Sequence, residues 1–430
     1  VPDGYLKLPV HIISKKNIKT CHSVFKFTCV RMTFTNVQVP MFLKSKRNCF
    51  LLVLIGIISL CVVFQWNIQD KSKNIDFLLS DVRRKLASIE FSTEPACEPK
   101  RKIGFLKMHK CASTTLQNVF FRYAHINDLN VILPLKRWNY LGSPDLFSIK
   151  LVEETPWHHL GYDIMALHTR WDHNSIKQAL SGDPAFVTIV REPAELFESL
   201  YGYYNFQNFF KNLTFFSFLD KLEDGGFVKK NDRFMGKIGK NQMLFDLGFP
   251  VKYFDNEEKV KKFVEEVKNN FHLVMVTDKM DESIVLLKHL LCWDYKDLVI
   301  LKLNARAESK KKKLSPAQTE KLRKWLKADN FLYLTFREVF DKKVEEFGYE
   351  KMEEEKQKLS TIRNQIMEEC LSGKKDLTGD SLIKAMRKSA GCRLYALDEY
   401  DFLDEIKAAQ WKRADKAVLQ SLGSTENSPN

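Results

Sequence analysis

Glycine is scarce in this chain, with 17 residues in 430. None of them builds the GxxxxGK[ST] pattern that cradles nucleotide phosphates and sets a hydroxyl on magnesium, which argues against an ordinary kinase or ATPase. Zinc-finger spacing, an RNA-binding signature and a heptad-bearing basic region are missing too, so nucleic acid is the weaker partner. There is no internal repeat and no carboxylate cluster of the kind that holds a metal. Acidic residues are outnumbered: 68 Lys+Arg against 54 Asp+Glu give a formal net charge of +14. That excess favours a membrane surface or a phosphorylated or sulfated small molecule. The remaining composition, 44% hydrophobic and 28% charged, is that of a folded protein with one large core or two moderate ones.

One long apolar run stands out. "MFLKSKRNCFLLVLIGIISLCVVFQW" has Met41, then Lys44, Lys46 and Arg47, then an uncharged stretch over 49–64. About 16 residues is slightly short for a bilayer but sufficient with Phe42 and Trp66 at the interfaces. A cleaved leader is the alternative, yet no small-x-small site follows. The basic flank places the N-terminus in the cytoplasm and the bulk of the chain in a lumen, and a short span suits the thinner membranes of the early secretory pathway. The expected organisation is a cytoplasmic segment 1–48 with a start at Met41, a signal-anchor 49–66, a luminal stem 67–100, a catalytic domain 101–410 and a tail 411–430. Five of nine cysteines lie beyond the span (Cys97, Cys111, Cys292, Cys370 and Cys392), so an oxidising lumen leaves at least one thiol unpaired. Cys370–Cys392 is the expected pair, with Cys97–Cys292 also open. Asn212-Leu213-Thr214 is the one glycosylation sequon, usable if luminal.

From residue 103 strands and helices alternate, the pattern of a parallel sheet covered by helices. Strands are expected over 103–106, 163–167, 184–190, 271–276 and 298–304, and charged helices beyond Ser315. The stretch "IGFLKMHKCASTTLQNVFFRYA" runs from a strand through a loop into a helix, with Leu116, Val119, Phe120 and Tyr123 on one face. Such a loop, crowned by helix-start amides, is a ready anion site. Ser113, Thr114 and Thr115 can cap the helix or donate to an anion, and Lys110 can reach an oxygen. A plain N-cap explains the loop equally well. The second constellation is Arg191, at the C-terminal end of the strand 184–190, with Ser199 eight residues on. Ligands of open α/β sheets sit outside the carboxyl ends of strands, and Arg191 offers a fork for a phosphate.

These two stretches, "FLKMHKCASTTL" and "VTIVREPAELFESLYGYY", resemble the 5′-phosphosulfate loop and the 3′-phosphate motif of sulfotransferases. With "KNQMLFDLGF", "FHLVMVTDKMDESIVLLKHLLCWDYKDLVILKLNAR" and "KVEEFGYEKM", the chain resembles the galactose 3-O-sulfotransferase family over about residues 97–410. The resemblance implies a P-loop-like α/β sulfotransferase fold with a helical C-terminal region. It also implies 3′-phosphoadenosine 5′-phosphosulfate as co-substrate, with no metal. Lys107, Lys110, Cys111, Ala112, Ser113, Thr114 and Thr115 would hold the 5′-phosphosulfate, and Arg191 and Ser199 the 3′-phosphate. Asn304 and Arg306 would close over the nucleotide. Cys111 departs from the family, where a threonine is expected.

The implied reaction is sulfuryl transfer to the 3-hydroxyl of a terminal β-galactose. A glycolipid such as galactosylceramide or lactosylceramide is the expected acceptor, and N- or O-linked glycans are the alternative. An inactive lectin-like or scaffolding protein is a more distant reading, opposed by the intact Lys110, Arg191 and Ser199. The implied setting is the Golgi membrane in type II topology, without nucleic acid and with a homodimer left open. In-line displacement at sulfur needs positive charge on the leaving side and a general base. Lys110 fits the first role; His109 and His168 both fit the second. Trp171, Tyr203, Tyr204 and Asn241 are candidate acceptor contacts, in a set of mouth aromatics that also includes Trp138, Tyr140 and Phe206.

Overall fold

The computed structural model describes residues 6–10, 34–39, 97–136, 139–155, 161–210, 212–223, 233–234, 236–301, 312–371, 379–389 and 391–425. The chain divides into two units, Val1–Pro95 and Ala96–Asn430. In the first, Leu6–Val10 pairs antiparallel with Phe34–Val39. The expected anchor and stem lie outside the described residues. Among the described residues no helix is long and apolar enough to cross a membrane.

The second unit is built on four parallel strands. In chain order its elements begin β1 (Ile103–Phe105), α1 (Ser113–Ile126), β2 (Tyr140–Leu146), β3 (Ile164–Met165), β4 (His168–Arg170), α2 (His173–Leu180), β5 (Ala185–Val190) and α3 (Pro193–Tyr203). After these come α4 (Gln242–Asp246), α5 (Glu257–Asn270), β6 (Leu273–Val276) and α6 (Met280–Leu291). The central sheet runs β6-β5-β1-β3, parallel at every pairing. β5 is buried at all six positions, as a strand covered on both faces must be, and its sequence AFVTIV is accordingly an unbroken apolar run apart from Thr188. Gly104 in β1 makes room for that packing: a Cβ there would lie 2.5 Å from the Phe186 ring and 3.2 Å from Trp171.

The helix α1 buries the predicted face of Leu116, Val119, Phe120 and Tyr123, but also Phe121, Arg122 and Ala124. The reason is a second layer. The C-terminal helix Glu399–Thr425 lies across α1, with Phe402 edge-on to Phe121 at 5.7 Å. Before it come Pro316–Trp325, Lys327–Phe347, Tyr349–Leu371 and Gly379–Lys388, the helical region expected beyond Ser315. Cys370 is bonded to Cys392 and Cys97 to Cys292, with Cα separations of 5.5 and 5.7 Å. Among the described residues Cys111 is the free thiol.

One expectation needs correction. The strand expected over 298–304 is absent from its described part: Leu298 ends a short helix, Tyr295–Leu298, and Val299, Ile300 and Leu301 are buried without a strand partner. Here Arg122 bonds the carbonyls of Asp297 (2.8 Å) and Val299 (3.0 Å), so a buried apolar run was satisfied by a side chain instead of a sheet. A separate parallel pair, β2 with β4, was not foreseen, because "YLGSPDL" carries Gly and Pro in place of an apolar alternation. The C-terminal helix Glu399–Thr425 runs continuously through residue 410.

Candidate active site

The loop after β1 reaches its shape without glycine. Lys110 and Ala112 both adopt left-handed backbone, each at φ 55°. That costs a non-glycine residue about 1–2 kcal/mol apiece, and outliers of this kind cluster at functional sites. Surrounding bonds hold the conformation. Arg191 Nη1 donates to the Lys110 carbonyl at 3.0 Å, the His109 N–H donates to Asp246 Oδ2 at 2.9 Å, and Ser113 Oγ donates to the Met108 carbonyl. Ala112 stands at the N-cap of α1, no side chain caps it, and the first turn carries no acidic residue. The positive end of a 14-residue helix therefore opens on this loop, arranged for an anion.

Around the loop the predicted donor residues separate into two groups. Thr114 is exposed and Thr115 half-buried. Lys110 is half-buried, with Nζ 3.6 Å from the centroid of the Tyr203 ring. Arg191 follows the end of β5, and among the described residues its buried Nε has no partner. An orphaned buried guanidinium nitrogen calls for an explanation. Ser199 is buried on α3, beside Glu198, whose carboxylate accepts from the Lys312 amide at 3.1 Å.

The other group is turned inward. Lys107 is 1% exposed and forms an ion pair with Glu399 of the C-terminal helix, so its ammonium does not face the loop mouth. Burial lowers its pKa, against the opposing pull of Glu399. The Ser113 hydroxyl is spent on Met108. The Cys111 thiol is fully buried against the His109 carbonyl at 3.4 Å, and burial pushes its pKa well up. These two residues can offer an anion only their backbone amides. Asn304 and Arg306 lie outside the described residues.

Both candidate bases are brought together. The His109 and His168 rings stack at 4.2 Å between centroids, yet their surroundings differ. His109 Nδ1 lies 2.8 Å from Asp246 Oδ2 and 2.9 Å from Oδ1, with Asp246 only 2% exposed. A carboxylate only accepts, so Nδ1 carries the proton and Nε2 is left as the basic nitrogen. Nε2 lies 2.7 Å from the Tyr140 hydroxyl. Among the described residues no carboxylate bonds His168 and its buried Nδ1 has no partner, and burial followed by Lys107 and His109 drives its pKa well below 6.5. It is held neutral and serves as a stacking platform for His109 and, at 5.0 Å, Tyr140.

Asp246 is itself fixed. Gln242 Nε2 donates to its Oδ1 at 2.8 Å. The helix α4 that carries both is capped by Asp329, which accepts from the Met243 and Leu244 amides at 3.0 and 2.9 Å. Burial pushes Asp329 up to about 7. Sequence reasoning missed Asp246, although "KNQMLFDLGF" was in view; a lone carboxylate in a buried apolar segment was the available signal.

A cavity of about 480 Å³ opens beside the histidines, walled by Tyr140, Tyr204, Ser143, Leu151, Lys237 and Ile238 among others. Tyr204 is thus on the wall and Tyr203 is 68% exposed beside Lys110. The other two expected acceptor contacts are not available. Trp171 is core, 5% exposed against Phe186 and Phe271. Asn241 is fully buried, its side-chain oxygen accepting from the Asp329 amide at 3.1 Å. Trp138 lies outside the described residues.

A family model described as galactose-3-O-sulfotransferase matches residues 34–391. The chain belongs to this family. Galactosylceramide sulfotransferase of Mus musculus is 29% identical over 86% of this chain and 95% of its own length. The Homo sapiens protein of the same name is 34% identical over 64% of this chain and 66% of its own length, just under two thirds. Galactose-3-O-sulfotransferase 3 of Mus musculus is 33% identical over 62% of this chain and 63% of its own. In this member of the galactose-3-O-sulfotransferase family, the loop after β1, Arg191 and the His109–Asp246 pair meet at the C-terminal ends of the central strands β1 and β5.

Proposed function

We propose that this protein transfers a sulfuryl group from 3′-phosphoadenosine 5′-phosphosulfate to the 3-hydroxyl of a terminal β-galactose. The preferred acceptor is a galactosyl glycolipid, galactosylceramide or lactosylceramide. The observation that carries the reading is the His109–Asp246 pair, set one residue before the loop lysine and joined through the Tyr140 hydroxyl to a cavity wall. The relatives named galactosylceramide sulfotransferase support the lipid acceptor.

The donor supplies an activated sulfuryl group on a phosphate leaving group. Backbone amides at the start of α1, with Thr114 and Thr115, take its 5′ end, while Arg191 and Ser199 take the 3′-phosphate. The unpartnered Nε of Arg191 fits that role. Lys110 leaves the Tyr203 face to neutralise charge growing on the leaving oxygen. His109, with Nδ1 held by Asp246, receives the acceptor's proton through Nε2. Asn304 and Arg306 keep the nucleotide-closing role that the family resemblance assigns them.

The same reading places the protein in the Golgi membrane as a type II protein with its catalytic unit in the lumen. Two disulfides suit an oxidising compartment, and Asn212 of the sequon is exposed.

The test is incubation of the full chain with radiolabelled donor and galactosylceramide, lactosylceramide, N-acetyllactosamine and a core-1 O-glycan. Label on the two lipids is the expected result. Label on the free glycans in preference would favour the glycoprotein-type acceptor, a reading supported by the similar identity to galactose-3-O-sulfotransferase 3. Label on none of the four would defeat the enzyme reading and leave the lectin-like one.

A further inference from the structure

We infer that Tyr140 is a catalytic residue that relays the acceptor's proton to His109; this rests on the reaction proposed above. The base does not reach the cavity by itself. His109 is 5% exposed, and its basic Nε2 is covered by the Tyr140 hydroxyl at 2.7 Å. Tyr140, not His109, forms part of the cavity wall. A galactose hydroxyl in that cavity meets the phenol first.

The phenol is built into place. Tyr140 opens β2 and is paired directly with His168 in β4, which registers the two rings face to face at 5.0 Å. His168 stacks in turn on His109. Tyr204 stands on the cavity side with its hydroxyl 3.5 Å from that of Tyr140. The polar chain is therefore Asp246, His109, Tyr140, Tyr204, ordered from the buried carboxylate to the open wall.

The step balances as follows. The acceptor oxygen forms a bond to sulfur while the bond from sulfur to the bridging phosphate oxygen breaks, and the leaving phosphate keeps that electron pair. As the acceptor oxygen loses its proton to Tyr140 Oη, the phenol's own proton passes to His109 Nε2. Tyr140 ends neutral and His109 ends as the imidazolium beside Asp246. Burial and the neighbouring Tyr204 hold the phenol far above its usual pKa of 10, so it passes protons on in concert and does not stand as a phenolate.

The decisive variant is Tyr140→Phe, which keeps the ring on His168 and removes only the hydroxyl. Expected is a fall in kcat of about 10² or more, with KM for donor and acceptor within threefold of wild type and an unchanged melting temperature. A proton inventory in mixed H₂O/D₂O should bow for the wild type, with two protons in flight, and become linear in the residual activity of Tyr140→Phe. A Tyr140→Phe enzyme with kcat within threefold of wild type would overturn the relay and leave the phenol as a placeholder for substrate. Should the variant melt early, the wild-type inventory alone decides, because a straight line there means one proton and no relay. A wild-type chain that transfers no sulfate at all defeats the proposed function itself, which is a separate outcome.

Discussion

Replacing Asp246 by Asn tests the orientation of the base with almost no change in shape. The carboxylate accepts three bonds: from the His109 amide at 2.9 Å, from His109 Nδ1 at 2.8 Å and from Gln242 Nε2 at 2.8 Å. Asparagine has one accepting oxygen and an NH₂ that must face one of those donors. The inexpensive adjustment is for Nδ1 to give up its proton and accept, which moves the proton to Nε2 and removes the basic nitrogen bonded to the Tyr140 hydroxyl. A wrong-tautomer base costs about 10²–10⁴ in rate, or roughly 3–5 kcal/mol at about 1.4 kcal/mol per tenfold. Asp246 is 2% exposed and touches neither substrate, so KM for both should stay within about threefold while kcat falls. Initial rates with labelled donor at saturating acceptor, alongside a thermal melt, give both quantities. An Asp246→Asn enzyme with kcat within threefold of wild type would refute the reasoning, since the imidazole would then not depend on its carboxylate.

Other expectations follow from the same geometry. Glu399→Gln leaves the Lys107 ammonium in a site 1% exposed and should cost about 3–5 kcal/mol. For a unit of roughly 330 residues that is a melting shift of about 4–7 °C; adding Lys107→Met should restore most of it in a scanning calorimeter. Because the folded pKa of His168 lies well below 6.5, the unfolded chain takes up a proton that the folded one refuses. Stability is then full above about 6.5 and declines as pH falls below it, by up to about 1.4 kcal/mol per pH unit. His168→Gln should remove its share of that slope in denaturant titrations, leaving the part from His125, His173 and His289, whose pKa values burial also lowers. Arg191→Lys gives up the fork and the Lys110 carbonyl bond; a charged hydrogen bond of about 1.5–3 kcal/mol translates to about 10–100-fold in donor KM, with acceptor KM unmoved.

Sequence patterns revealed those parts of the fold and site that depend on local chemistry. β5 reads as a buried strand because AFVTIV is apolar apart from Thr188 and ends at the charged Arg191-Glu192, and α1 reads as a helix from its spaced apolar face. The anion loop was visible from its lysines and hydroxyls. Which of them face the ligand was not, since Ser113 and Lys107 are turned inward by partners that only folding supplies. Lys107 meets Glu399 across 292 residues and His109 meets Asp246 across 137; no periodicity carries such pairings. His109 and His168 looked nearly equivalent as bases, with His109 slightly favoured, for the same reason, and it is the buried carboxylate beside one of them that separates the two. Trp171 and Asn241 illustrate the converse: residue types suited to a sugar site were taken up by core packing and a backbone cap.

The most direct test of the account is sulfate transfer by the full wild-type chain to galactosylceramide, measured beside His109→Ala in the same preparation, with the product's linkage determined. The account predicts label on the galactose 3-hydroxyl for the wild type and a loss of about 10²–10⁴ in rate for His109→Ala, with donor binding retained. Label on another hydroxyl, or a His109→Ala variant within tenfold of wild type, would contradict it.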